Sequence, residues 1–407
     1  MKHWLLSLLF IPIFWLTYLY VLLLRILITK RKSKPISGSC LYLDSFPFDR
    51  SSGHKYRVRN WMQIFETLNC KTDVLSHFES AHNFFQFSNP NELPIFMFIA
   101  MLRRCHQIIK ARKYETVIVR RELLLFNDYG NLFMDKFLLK LHPNAILDFD
   151  DDIAAAKNQP KRITNWYGRL LLEDGNKFNN TLRLYKRFIV ASNYLKERVL
   201  KENPQLPPEN IVVIPTCVDY DKYPPKQYPE HIEKITFGWI GGDHNYPLLD
   251  ILLPILNSLA ERYSFKLLVI GGSEYKRDVK FEIEFVPWSL ETEVENLYRI
   301  DIGLMPLTDD AKSRGKGGFK LIQYMGLGIV SVASAITINC EIIDHGVNSF
   351  LVYSHDDWEK ILVNILDKKV NLSAMGKEAR KKIEKEYTFE ANKDKYIDFI
   401  HKTICVE

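Results

Sequence analysis

Arg314-Gly-Lys-Gly-Gly-Phe-Lys-Leu-Ile-Gln-Tyr-Met-Gly-Leu-Gly328 runs directly into Ile329-Val-Ser-Val-Ala-Ser334. The first part is a basic, glycine-rich loop. Phe319, Ile322 and Met325 then recur at helical spacing, so a helix with one apolar face is expected, ending at Gly326 or Gly328. The run after Gly328 is apolar and β-branched, which reads as a buried strand. Loop, helix, strand is half of a βαβ unit. Backbone amides of Gly317 and Gly318 at the helix start, with Lys316 and Lys320 beside them, suit a diphosphate.

The same alternation extends in both directions. Strand-like runs stand at 40–43, 116–119, 145–147, 188–190 and 211–214, and again at 235–240, 267–270, 281–285, 302–305, 329–332 and 350–352. Short buried strands separated by helical stretches indicate parallel sheets covered by helices on both faces. The two series are divided by Pro224-Pro-Lys-Gln-Tyr-Pro229, whose three prolines read as an interdomain linker. The expected organisation is therefore residues 1–35, a first Rossmann-like domain over 36–225 completed by a C-terminal helix over 387–407, and a second over 226–386. Thirteen of the 18 glycines lie at or after Gly238, several of them, such as Gly241-Gly242, near strand ends where a backbone approaches a ligand. The second domain is thus expected to hold a nucleotide. No Walker A motif and no Gly-x-Gly-x-x-Gly after a strand occurs, which argues against a P-loop NTPase or an NAD enzyme.

Charge placement bears on partners. Residues 1–35 hold six of the 55 basic residues and no acid, leaving 49 basic against 49 acidic in the rest. A neutral body argues against a nucleic-acid partner. Trp4 to Leu24 are 21 consecutive uncharged, mostly apolar positions, followed by Arg25 and the cluster Lys30-Arg-Lys-Ser-Lys34. That length is enough to cross about 30 Å of hydrocarbon, and the basic flank predicts an N-terminal membrane helix with the remaining chain cytoplasmic. Pro12 inside the run leaves a kinked or re-entrant insertion open. The six cysteines show no paired spacing, so neither a zinc site nor a disulfide framework is expected.

Asp148, Asp150, Asp151 and Asp152 follow the apolar run 145–147. They belong at the carboxyl end of a strand, the ligand edge of such sheets. Crowded carboxylates there raise one another's pKa, which suits a proton acceptor for an incoming hydroxyl, with Asp150 and Asp151 the candidates. A helix N-cap with acidic first-turn residues is the competing reading. Ser51-Ser52-Gly53 follows the first strand and is a candidate phosphate or acceptor loop.

Taken together these pieces resemble glycosyltransferase family 4-type enzymes of the two-Rossmann GT-B fold, in the subgroup reading roughly "RGKxGFKLLQYMAxGxPVVAS". Phe237–Gly242, Val286–Ser289 with Glu291 and Glu293, Asp301–Leu307, and Asn339 with Glu341–Gly346 and Asn348–Val352 fall in that family's order. In the first half Ser51–Arg57, Asp148–Asp152, Ser192-Asn193 and Ile214–Asp219 have counterparts. The resemblance implies a retaining, metal-independent transfer of a sugar from a nucleotide diphosphate sugar to a lipid-linked or membrane-borne saccharide. The donor would lie in the interdomain cleft, closed by a hinge at 224–230. The donor set it implies is Gly241, Gly242, Trp288, Arg314, Gly317, Gly318, Phe319 and Gln323, with Lys316 and Lys320 stabilising the leaving diphosphate. No cofactor beyond the co-substrate is implied. Where the family carries a Glu-x7-Glu pair this chain has Gly315 and Gln323, and the usual Arg and Lys after the donor domain's first strand are replaced by Gly242, Asp243 and His244. An epimerase of the same fold and a non-catalytic assembly partner remain as alternatives.

Overall fold

A computed structural model describes residues 2–28, 36–46, 52–77, 93–125, 128, 130–157, 176–272, 274 and 276–401. The chain forms two compact units, residues 1–215 with 393–407, and residues 216–392.

In the first unit, helix α1 (Lys2–Leu27) precedes a parallel sheet of six described strands. These are β1 (Ile36–Asp44), β2 (Lys71–Ser76), β3 (Tyr114–Arg120), β4 (Ile146–Phe149), β5 (Arg187–Val190) and β6 (Ile211–Val213), in the order β2-β1-β3-β4-β5-β6. Leu41 pairs with Val117, and Leu147 with Phe188, all of them buried. The apolar runs are continuous rather than alternating because helices cover both faces. Helices α2 (Leu93–Ala111) and α3 (Phe133–Leu141) contribute Met101, Cys105, Phe133 and Phe137 to that core.

Here the sequence expectation for the N-terminus changes. Among the described residues no helix is long and apolar enough to cross a membrane. Helix α1 runs through Pro12 without ending and packs one face on α2 and α3. Phe14 and Val21 are fully buried in the first core, Phe14 meets Phe133 edge-on at 5.5 Å, and Lys140 donates to the carbonyl of Arg25. A helix with one face committed to protein is not a free lipid-surrounded span.

The second unit repeats the plan with β7 (Ile235–Ile240), β8 (Phe265–Ile270), β9 (Glu282–Val286), β10 (Ile302–Met305), β11 (Val330–Ser334) and β12 (Phe350–Val352). Their order is β12-β11-β10-β7-β8-β9, the doubly wound arrangement with its switch point between β7 and β10. Helix α4 (Phe319–Gly326) connects β10 to β11. The last described helix, α5 (Phe389–His401), carries Tyr396 into the first unit, where its hydroxyl meets that of Tyr42 at 2.9 Å, its ring stacks on Phe65 and it lies tilted 4.4 Å from Trp61.

The proline stretch 224–229 is fastened within the second unit. The Lys226 amide donates to Leu327 O at 2.7 Å, its ammonium pairs with Asp301 at 2.8 Å, and the Tyr228 hydroxyl donates to Asp301 O. The unit boundary lies earlier, between Pro215 and Thr216. Segment 224–230 thus lies inside the second unit.

Candidate functional site

In the second unit the carboxyl ends of β7 and β10 diverge at the switch point, where α/β sheets place ligands. Three contacts set α4 against that edge. Gly303 in β10 lies under the Tyr324 ring, which would stand 2.4 Å from a Cβ at that position. The Tyr324 hydroxyl in turn accepts the amide of Ile240, the last residue of β7, at 2.9 Å. At the helix start Gly318 holds φ +68°, and a Cβ there would meet Ile342 Cδ1 at 2.7 Å. Only glycine satisfies both requirements.

The amino end of α4 is thereby held beside the end of β7. Lys320 Nζ sits 4.3 Å from the centre of the Trp239 ring and 3.0 Å from where a Gly241 Cβ would be. Among the described residues Lys320 makes no ion pair. Burial, reinforced by the charge of Lys316, pulls its ammonium well below the usual lysine range. A half-buried lysine with an aromatic face on one side and glycine backbone on another favours an incoming anion.

The other donor-side candidates are distributed as follows. Gly241 donates its amide to Ile270 O, and Gly242 precedes the short turn Asp243–Asn245. Gly317 is buried and Lys316 half-buried beside the helix start. Phe319 packs half-buried on the second core. Trp288 donates from Nε1 to Glu293 at 2.8 Å, and its Cβ lies 3.2 Å from a Cβ built on Gly271. Gln323 is buried and donates to the Tyr223 hydroxyl at 3.3 Å. Arg314 is exposed and clamps Asp309 through two nitrogens, at 2.6 and 2.9 Å, while its carbonyl accepts from Thr337. Thr337 has φ +36°, a strained value for a β-branched residue, in the loop after β11. The sequence reading missed Trp239 and Thr337; the first was legible as the aromatic two residues before Gly241, the second carries no sequence signal.

In the first unit a charge network occupies the carboxyl ends of β1, β3 and β4. Asp44 ends β1, Arg120 ends β3, and Asp148 lies in β4. Arg57 binds Asp148 through Nε and a terminal nitrogen and donates to Ile214 O at 2.6 Å. His54 Nδ1 meets Asp44 at 2.7 Å, and Arg120 reaches Asp44 at 3.3 Å and Asp150 at 3.6 Å. Arg121, with φ +66°, lies 3.9 Å from the other oxygen of Asp150. His54 and Arg57 arrive on the helical stretch Ser52–Thr67, which contains a π-helical turn over Lys55–Arg59.

This network divides the aspartates by role. Asp148 belongs to Arg57. Asp152 caps the helix Ile153–Lys157 through the Ala155 amide and meets Arg198 at 3.2 Å. Asp151 is half-buried between them. Asp150 keeps one oxygen without a hydrogen-bond partner among the described residues. Burial alone would raise its pKa, but Arg120, Arg121 and Arg57 outweigh burial and lower it. The mutual elevation expected for the aspartate cluster is thus corrected at Asp150, because the arginines were not visible as its neighbours. Asp44 is likewise lowered, with burial overcome by Arg120 and His54. Gly53 lies against the Arg120 guanidinium, which would be 2.1 Å from its Cβ. Ser51 and the side chain of Ser52 fall outside the described residues. Asp44 and Arg120 were missed, although a charged residue directly follows each of the apolar runs 40–43 and 116–119, and His54 and Arg57 were read only as part of the segment Ser51–Arg57, with no role given.

Among the described residues no three of His, Cys, Asp and Glu converge as metal ligands.

Residues 234–368, from β7 to the helix His355–Leu366 that follows β12, match the family described as Glycosyl transferases group 1. No curated protein matches the chain. Anabaena HepE in complex with UDP-glucose is similar at a TM-score of 0.60 and 12% identity, over 89% of this chain and 99% of that one. Sucrose-phosphate synthase from Thermosynechococcus elongatus gives 0.65 at 11%, over 91% and 100%. The lipopolysaccharide outer core galactosyltransferase WaaB gives 0.58 at 13%, over 89% and 99%. At these identities the likeness establishes the fold, two parallel-sheet α/β units of the GT-B kind. The family match identifies a glycosyltransferase-type domain within the second unit, at residues 234–368.

Proposed function

We propose that the protein transfers a sugar, with retention, from a nucleotide diphosphate sugar to a hydroxyl of a lipid-linked or other membrane-borne saccharide. The observation that carries this reading is Lys320, half-buried and without an ion pair among the described residues, beside Trp239 and Gly241 at the switch point of the second sheet. Lys316, Lys320 and the amides of Gly317 and Gly318 would hold the diphosphate and stabilise the charge that develops as it leaves. Such preorganised donors are the largest single term in many transfers. No metal is assigned to that task.

Retention and the "RGKxGFKLLQYM" subgroup rest on the sequence resemblance. The membrane-borne acceptor is supported by the apolar N-terminus and by the fold shared with WaaB, a lipopolysaccharide outer core galactosyltransferase. The basic cluster after the apolar stretch suits the anionic surface of a cytoplasmic leaflet, which supports a cytoplasmic location for both units as part of this proposal. On the acceptor side, Asp150 is kept ionised by three arginines, so it would orient an incoming hydroxyl by accepting its hydrogen bond rather than serve as a base of raised pKa.

UDP is the first nucleotide to test, since HepE binds UDP-glucose. Calorimetry should show UDP binding, and a panel of nucleotide sugars should reveal at least one donor that is slowly hydrolysed without acceptor. Lys320→Ala should lower turnover of that donor by about 10²–10³-fold and weaken UDP. Asp150→Asn should lower transfer while leaving UDP affinity near wild type. If no nucleoside diphosphate binds, the donor reading fails.

A further inference from the structure

Helix α1 has two apolar faces, and the protein covers only one. Phe14, Thr17 and Val21, spaced by three and four residues, are sealed against α2 and α3. The opposite side presents Trp15, Leu16, Leu19, Leu23, Ile26 and Leu27 to solvent, with Leu16 65% and Leu27 73% exposed. Along this side only the Trp15 indole and the Tyr20 hydroxyl offer a polar group among the exposed residues described, and none of those residues is charged. A soluble helix resting on a core normally turns charge outward, and a contiguous exposed apolar face marks an interaction surface.

We propose that this outward face of α1 is a membrane-docking surface that lies in the plane of an anionic leaflet and holds the first unit against it. Two features select a leaflet over a second copy of the chain. Trp15 and Tyr20 are amphipathic rings suited to the boundary between headgroups and acyl chains. Arg25 and the sequence cluster Lys30, Arg31, Lys32 and Lys34 follow, and no acidic residue occurs before Asp44. A symmetric pair of copies would bring two such cationic segments together, whereas anionic headgroups attract them. The face opposite is fixed to α2 and α3, so the helix lies along the body and inserts sideways. The inference rests on the proposed function only for why a leaflet would be nearby, and its test needs no turnover.

The full chain should float with phosphatidylcholine vesicles containing phosphatidylglycerol, and far less with phosphatidylcholine alone. Leu16→Glu combined with Leu23→Glu alters positions already exposed, so the melting temperature and UDP binding should hold. Vesicle-bound protein should fall at least about 10-fold. Trp15 should be quenched by lipids brominated just below the headgroup, and Ile26→Trp in a Trp15→Phe background should be quenched to the same extent, as a helix parallel to the surface requires. Undiminished flotation of the double variant would overturn the proposal. So would unequal depths at positions 15 and 26, or a dimer in solution that the double variant dissociates while wild type ignores vesicles.

Discussion

Lys320 is a residue whose ordinary role and functional role predict opposite signs. Its pKa is lowered in the folded protein by burial and by Lys316, while the unfolded chain restores the usual value near 10.4. Between those two values the unfolded state binds more protons, so the lysine's penalty on stability is greatest at low pH and fades as pH rises towards the unfolded pKa. Lys320→Met removes that penalty. The variant should melt no lower than wild type at neutral pH while losing UDP affinity. A structural lysine would give the reverse. The bound diphosphate should raise the lysine's pKa, so wild-type UDP binding takes up to about one proton in that window and weakens as pH rises. Calorimetry in two buffers of different ionisation enthalpy measures this uptake. Equal uptake by Lys320→Met would place the anion elsewhere.

Among the elements, α4 is positioned by a missing side chain. An added methyl at Gly303 would stand 2.4 Å from the Tyr324 ring, and that ring's hydroxyl holds the Ile240 amide. Gly303→Ala should therefore cost about 1–3 kcal/mol in chemical denaturation and weaken UDP binding, because α4 shifts away from the end of β7. Normal UDP affinity in a destabilised variant would show that α4 does not position the anion site. Strands such as β4 and β7 were legible because burial on both faces demands continuous apolar runs. Strand β2 was not: Lys71, Thr72 and Asp73 lie on an edge strand where water reaches one side. The glycine-rich loop announced its helix because the punctuation is local. The Asp44–Arg120 contact was illegible, since its partners stand 76 residues apart and only the fold brings them together. For α1 the sequence showed apolar character all round but not which stripe the body takes, and that choice turns a span into a docked helix.

The whole molecule consists of two units, each with its own sheet and its own core, that of the second unit in two clusters, and the chain visits the first one twice. Composition located the division at the prolines of 224–229 because they exclude helix and strand, yet the change of packing comes at Pro215 and again after Asn392. Two cores imply separable unfolding transitions, and a ligand that binds one unit should move only that unit's transition. UDP at 100 times its dissociation constant should stabilise the 216–392 transition by about 2.7 kcal/mol and leave the other in place. Asp148→Asn should do the converse. It strands the Arg57 guanidinium, which burial disfavours and Asp148 chiefly holds charged, so the first unit should lose about 3–5 kcal/mol with the UDP shift intact. Hydrogen exchange resolved along the chain would assign each transition to its residues. If UDP instead protected the carboxyl ends of β1, β3 and β4, and Lys320→Ala left that protection unchanged, the anion site would belong to the first unit, with Arg57 and Arg120 as its cations.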